Sequence, residues 1–324
     1  MAMSGFDPRW RDFSHYILGI TREIWEERKL HTLKDYYAPD VIVRSPSSIV
    51  TGCDKVISAT MSTLAEFPDR TLLGEDVIWS GTPEQGMLSS HRITTTATHT
   101  GNGIYGNATG KSLRYRVIAD CHAKNNQIDD EWLVRDQGDI ARQLGMSACE
   151  YARWQIECEG GLEKCLRPFT PDQDVEGPYQ GVGNDNEWGL KHEDILSRIM
   201  NAEFSVIPQA YDRACMLELP GGQRTVSHKG ADDFWMQLRS AFPEARFTVH
   251  HRIGRQDDLR PPRSAIRWSL HGKHEGSGAF GTATGAEVHV MGITHAEFGP
   301  WGLNREFTLF DETAVWKQIL IHKG

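Results

Sequence analysis

From Phe13 to Tyr37 the apolar residues Ile17, Ile20, Ile24, Leu30 and Leu33 recur at near-helical spacing among charged positions, which predicts an amphipathic helix ended by Pro39. The β-branched run Val41-Ile42-Val43 and a turn-rich stretch, Ser45 to Gly52, lead to a second amphipathic helix, about Asp54 to Phe67. The pattern then changes period. Leu72 to Trp79, Met87 to His99, Leu113 to Ala123 and Gln127 to Asp136 are β-branched or alternating, and turns such as Gly101-Asn102-Gly103 and Lys124-Asn125-Asn126 separate them. These read as strands.

The whole order then recurs. A helix is expected from His192 to about Tyr211, a strand from Ala214 to Glu218, a helix starting near Ala231, and strands between Phe247 and Phe310. The match is also residue by residue, because Phe67 to Gln143 reappears without a gap 175 positions later. Phe67-Pro68-Asp69 falls on Phe242-Pro243-Glu244, Arg92 on Arg267, His99-x-Gly101-x-Gly103 on His274-x-Gly276-x-Gly278, Glu131 on Glu306, and Asp136 on Asp311. Two copies of this length are each large enough to close a core of their own. The expected domains are residues 1–146 and 190–324. Residues 147–189 join them, helical at first (Ser147 to Glu163) and then a loop rich in Pro, Gly, Asp and Asn (Pro168 to Trp188). Helices followed by a meander of long strands predict an α+β domain, with helices on one face of a curved, mostly antiparallel sheet.

Phe67-Pro68-Asp69, Asp76-Val77-Ile78, Thr98-His99-Thr100-Gly101, Ala108-Thr109-Gly110, Glu131-Trp132, Asp136 and Gln143-Leu144-Gly145 come in an order that resembles the SnoaL-like polyketide cyclases. That family belongs to the cone-shaped, cystatin-like nuclear transport factor 2 superfamily. The resemblance covers residues 15 to 145 and is thinner in the second half. It implies two tandem domains of this type. It also implies an intramolecular aldol closure in which an aspartate, matched by Asp136, serves as acid and base and a histidine, matched by His122, assists. In the second half Asp311 takes the aspartate's place, and His295, two residues from the matching position, is the candidate histidine.

Read from the residues alone, alternation sets Asp136 on one strand face with Trp132 and Val134, and Asp311 with Phe307 and Leu309. Apolar neighbours disfavour the charged form of a carboxylate and raise its pKa toward what proton abstraction near neutral pH requires. Trp132, Val134, Phe307 and Leu309 thereby become candidate substrate contacts, together with Arg92 and Asp120. The alternative is structural: both aspartates cap the following segment or pair with Arg92 and Arg267. Glu131 and Glu306 alternate to the opposite face and read as salt-bridge or domain contacts. His99 and His274 precede glycine turns and read as loop supports.

Composition narrows the partners. The formal net charge of −9 comes without a basic stripe, so no nucleic acid is expected, and no apolar run is long enough for a membrane span. Met1 to Trp10 lacks a secretion signal's pattern, and six cysteines without a C-x-x-C pair argue against a disulfide framework, so a cytoplasmic location is expected. His250-His251 and His271-x-x-His274 lack a convincing ligand set, and the Gly-x-Gly pairs lack a strand-to-helix context; no metal and no cofactor is expected. The leading expectation is a cofactor-independent cyclase, isomerase or dehydratase (lyase) acting on a small carbonyl compound. One alternative is a hydrolase of an epoxide, lactone or ester using water held by an Asp–Arg contact such as Asp136 with Arg92. Another is a non-catalytic binding or assembly protein. The duplication predicts an intramolecular pseudo-dimer of the halves, with further homo-oligomers left open.

Overall fold

The computed structural model describes residues 3–179 and 183–324. The first half runs α1 (Phe13–Thr21), α2 (Leu33–Tyr36), β1 (Tyr37–Ser45), β2 (Ser48–Thr51), α3 (Cys53–Glu66), β3 (Thr71–Thr82), β4 (Gly86–Thr98), β5 (Ser112–Lys124), β6 (Gln127–Arg135), α4 (Gln137–Leu144) and α5 (Ala148–Cys158). The second half runs α6 (Glu187–Met200), α7 (Ile207–Ala210), β7 (Tyr211–Leu219), β8 (Gln223–Val226), α8 (Ser227–Ala241), β9 (Arg246–Arg255), β10 (Arg263–Lys273), β11 (Glu287–Gly299), β12 (Gly302–Phe310) and α9 (Glu312–Lys323). Each half is an α+β domain around a six-stranded sheet, in the orders β2-β1-β6-β5-β4-β3 and β8-β7-β12-β11-β10-β9. All pairings are antiparallel except β1 with β6 and β7 with β12, the one crossover in each copy.

The opening helix is shorter than its periodicity predicts. It passes through a π-helical turn (Arg22–Glu26) and breaks where Arg28 takes a left-handed backbone, φ 57°. Pro39 lies inside β1 rather than ending a helix, and the β1–β6 register shifts between Tyr37 and Ile42, an irregularity that accommodates a residue without an N–H. The expected helix from His192 to Tyr211 is likewise divided, with Ala202 at φ 63° between its parts.

Both faces of each sheet are covered. On β4, His91, Ile93 and Thr95 point to the helices of their own domain, whereas Arg92 turns toward the other half, where it meets His295, Glu297 and Phe307. The two halves share a small apolar cluster of Ile118, Val134, Phe169, Met291, Ile293 and Leu309. Around it the contacts repeat: Arg92 lies over Phe307 at 3.4 Å beside His295, and Arg267 lies over Trp132 at 4.0 Å beside Asp120. Each of these residues is the other's partner in the 175-residue repeat.

The helical face differs between the copies. In the second half one continuous apolar cluster fills the space between sheet and helices, from Ile195 to Ile319. In the first half the apolar residues form two separate clusters, one around Phe13, Tyr16 and Ile17 and one around Phe67, Tyr115 and Tyr151. A cavity adjoins both clusters.

Candidate active site

The first-half cavity has a volume of about 700 Å³, within the range that holds a drug-sized molecule. Ile17, Ile20, Trp25, Ile93, Val117 and Leu133 supply apolar wall, and into it project the polar groups of Tyr37, Arg70, His91, Glu131, Arg135 and Asp311. Strand alternation explains the set: His91 on β4 aligns with Ala119 on β5, which aligns with Leu133 on β6, and Glu131 follows two residues away on the same face.

Glu131 is buried, and the Tyr37 hydroxyl donates a hydrogen bond to its Oε2 at 2.8 Å. Burial raises its pKa to about 7, against the lowering effect of that hydrogen bond. His91 faces the cavity two strands away. Burial lowers it to about 4, so it is neutral at physiological pH, and its Nδ1 has no partner. Asp311 comes from the other half, at the N-terminus of α9, and lines this cavity beside Gln137 and Tyr105. Its Oδ1 accepts from the Thr313 amide at 2.8 Å and hydroxyl at 2.6 Å, while burial raises its pKa to about 6.

The residues singled out from the sequence are placed differently. Asp136 caps α4: its Oδ1 accepts from the amides of Asp139 (3.0 Å) and Gly221 (2.9 Å), and its Oδ2 from Gly222 (3.2 Å). Burial raises it to about 7, as apolar surroundings predict, but it borders a separate polar crevice between the halves. His122 binds Asp129 at the other end of β5. The Asp136 amide meets Arg116, six residues from His122, so the two lie about 20 Å apart along the strand. The structure does not bring them into one centre. His295 is fully buried between the sheets, against Ser90 (2.7 Å) and Arg92 (3.4 Å), and pairs across the ladder with Phe307, four residues before Asp311.

The expected substrate contacts also lie between the sheets. Asp120 binds His251 at 3.0 Å. Trp132 sits between Arg44 and Arg267, Phe307 between Arg92 and Arg116, and Val134 and Leu309 are in the shared apolar cluster. Arg92 donates to Glu75 at 2.6 Å, and among the described residues its acidic partners are Glu75 and Glu297, so the Asp136–Arg92 contact required by the hydrolase alternative is not formed. The correction has one physical cause. The polar sheet face is the one buried against the other half, and the more apolar face carries the cavity. His99 and His274 do support loops: each ring lies 3.1 Å from a threonine hydroxyl, Thr109 or Thr284, across its glycine turn.

Glu131, which the sequence reading makes a salt-bridge or domain contact, lies on the cavity wall and forms no ion pair among the described residues; its exact alignment with Glu306 was a signal of a shared feature. Tyr37 and Tyr211 complete that signal, since Tyr211 donates to Glu306 as Tyr37 does to Glu131. They are 174 positions apart, outside the gapless repeat.

The family model for SnoaL-like polyketide cyclases matches residues 15–144. The match spans almost the whole of the first domain. Similar solved structures include IdmH from Streptomyces antibioticus, with 22% identity over 41% of this chain and 98% of that one, TM-score 0.36. AclR from Streptomyces galilaeus shows 21% identity over 41% of this chain and 80% of that one, TM-score 0.36. A SnoaL-like polyketide cyclase from Agrobacterium tumefaciens shows 16% identity over 41% and 97%, TM-score 0.34. No curated protein matches the chain. No helix among the described residues is long and apolar enough to cross a membrane.

Proposed function

We propose that the first domain is a cofactor-independent acid–base enzyme of the SnoaL-like type, acting on a small carbonyl compound held in its cavity. The observation that carries this is Glu131, a buried carboxyl with a pKa of about 7, hydrogen-bonded to Tyr37 on the wall of a cavity of about 700 Å³. A base with a pKa near the working pH combines a usable ionised fraction with real basicity. Its carboxylate takes the proton from the carbon next to the substrate carbonyl, and the C–H electron pair becomes the enolate. Neutral His91 can donate a hydrogen bond to the enolate oxygen without first carrying a charge of its own. In a cyclisation the enolate carbon bonds to a second carbonyl carbon, and the proton on Glu131 returns to the new alkoxide. Asp136 and His122 have no part in this proposal, because each is bound elsewhere and far from the other.

The second domain serves as a partner. Its sheet covers the first sheet in the manner of an intramolecular pseudo-dimer, a reading supported by the matched Arg92–Phe307 and Arg267–Trp132 contacts. The test of the enzymatic reading is solvent-deuterium incorporation at the α-carbon of 2-tetralone, followed by NMR. Acceleration by the wild type and its loss in Glu131→Gln are expected. No acceleration at any pH between 5 and 9, or acceleration unaffected by that substitution, would sink the reading.

A further inference from the structure

Two arginines line the same cavity without an acidic partner. Arg70 lies in the loop between α3 and β3, and Arg135 at the end of β6. Arg70 is 8% exposed, and among the described residues neither guanidinium forms an ion pair; the Nε of each is buried without a partner. Such groups are costly to leave unpaired, because a buried cation loses its hydration without gaining an anion. Other arginines on this sheet that are withdrawn from solvent show the usual solution: Arg92 and Arg116 both bind Glu75, and Arg44 binds Asp130.

The acids near Arg70 and Arg135 are committed elsewhere. Glu66 takes hydrogen bonds from the amides of Ile104 (3.2 Å) and Tyr105 (2.9 Å) and lies 3.2 Å from the His99 ring. Glu131 is held by Tyr37, and Asp311 by Thr313. Burial raises those two carboxyls to about 7 and about 6, so both are at least partly ionised at neutral pH, yet among the described residues neither forms an ion pair with an arginine. Burial, with the charge of Arg135 adding to it, lowers Arg70 to about 10, still protonated at neutral pH. The lining thus carries two fixed positive charges, while its carboxyls are hydrogen-bonded to other groups.

We propose that Arg70 and Arg135 bind a carboxylate of the substrate, so that the cavity takes an apolar carbonyl compound bearing an acid group. This deepens the functional reading by naming a substrate class, and it rests on the cavity being the substrate site. The planar guanidinium fork matches a carboxylate in a two-point contact, and burial strengthens such a contact over its value in water. The apolar wall of Ile93, Val117 and Leu133 takes the rest of the molecule. Anchoring the acid at the arginines leaves the carbonyl end to reach Glu131, which stands four residues before Arg135 on the same strand face.

The test is calorimetric binding of 2-naphthoate against 2-naphthamide, a neutral compound of the same shape. It needs no turnover, so it can fail or succeed independently of the deuterium exchange. The acid is expected to bind at least about tenfold more tightly, and Arg70→Gln or Arg135→Gln should remove most of that ratio, chiefly by weakening the acid, with a melting temperature no lower than that of the wild type. Equal affinities, no binding by either compound, or a ratio unchanged in folded variants would overturn the proposal. Preference for 2-naphthyl phosphate over naphthoate would overturn the carboxylate assignment.

Discussion

Glu131 and Glu306 occupy matching positions in the two halves, each buried, each hydrogen-bonded by a tyrosine, each raised by burial to about 7. What they face differs. Where the first half has Thr60, Ile93 and Arg135 around its cavity, the second half has Trp235, Trp268 and Phe310. These rings meet at 6.2 Å (Trp235 with Trp268) and 6.3 Å (Trp268 with Phe310), and Gly292, in the place of Val117, makes room: a Cβ there would collide with the Trp268 indole. Three aromatic residues and one glycine turn a hollow cone into a solid one. The Glu–Tyr pair persists in both, so the pair alone is a structural feature of the repeat, and on the proposed function it is the adjoining space that gives it chemistry to do.

The sharpest break in this comparison is functional. Glu131→Gln is expected to lower the α-proton exchange rate by about 10²- to 10⁴-fold, the usual contribution of a positioned general base, whereas Glu306→Gln should leave it within about twofold. Comparable losses from both would mean that the solid cone takes part. Next in size are changes of packing. Trp268→Ala should destabilise the chain by about 3–5 kcal/mol in chemical denaturation, because it removes a fully buried indole from a continuous core. The converse change, Ile93→Trp, puts the second half's residue into the first. It should weaken binding of 2-tetralone by at least about tenfold by filling the cavity; unchanged binding would place the ligand elsewhere.

The elements were largely legible in the sequence, and the two-domain α+β fold with them, because hydrophobic period and the 175-residue repeat are local signals that packing does not erase. The facing of the sheet was not. Alternation placed Asp136, Trp132 and Val134 together and Glu131 opposite, which is how they stand, but it cannot say which face covers a cavity when both are buried. On β4 every side chain from Met87 to Thr95 is buried, so the simple contrast of a wet and a dry face is lost. Polar Arg92, Asp120 and His295 suggested a site; they lie instead in the contact between halves, Asp120 against His251 and His295 against Ser90 and Arg92. Arg70 was illegible for another reason: it lies in a loop, where spacing says nothing about direction.

The pH dependence sharpens the role of Tyr37. Its hydrogen bond favours the ionised form of Glu131, so Tyr37→Phe should raise that pKa above about 7 and move the midpoint of the exchange-rate profile upward, by about one pH unit. Tyr211→Phe should leave the profile in place. Equal profiles for wild type and Tyr37→Phe would detach Glu131 from the observed titration.

The smallest effect tests whether the second half contributes to the first half's cavity. Asp136 and Asp311 are repeat partners and both cap a helix, but only Asp311 lines the cavity of about 700 Å³. Asparagine also caps helices well, so substitution removes the titrating charge at little structural cost. Asp311→Asn is expected to change the exchange rate by about two- to tenfold and Asp136→Asn to leave it unchanged. The folded protein holds the proton of Asp311 up to about pH 6, against an unfolded value near 3.8. Its protonated form therefore contributes stability that is fully present below pH 3.8 and lost as the pH rises through 6. Relative to the wild type, Asp311→Asn should show a stability gain that builds up between about pH 4 and 6 and then persists, readable in denaturant midpoints, and for Asp136→Asn the gain should keep building to about pH 7. If both variants show this stability change but neither alters exchange, the second half only buttresses the first. If Asp311→Asn alone alters exchange, the half whose own helical face is filled by aromatic side chains supplies a side chain to its partner's cavity.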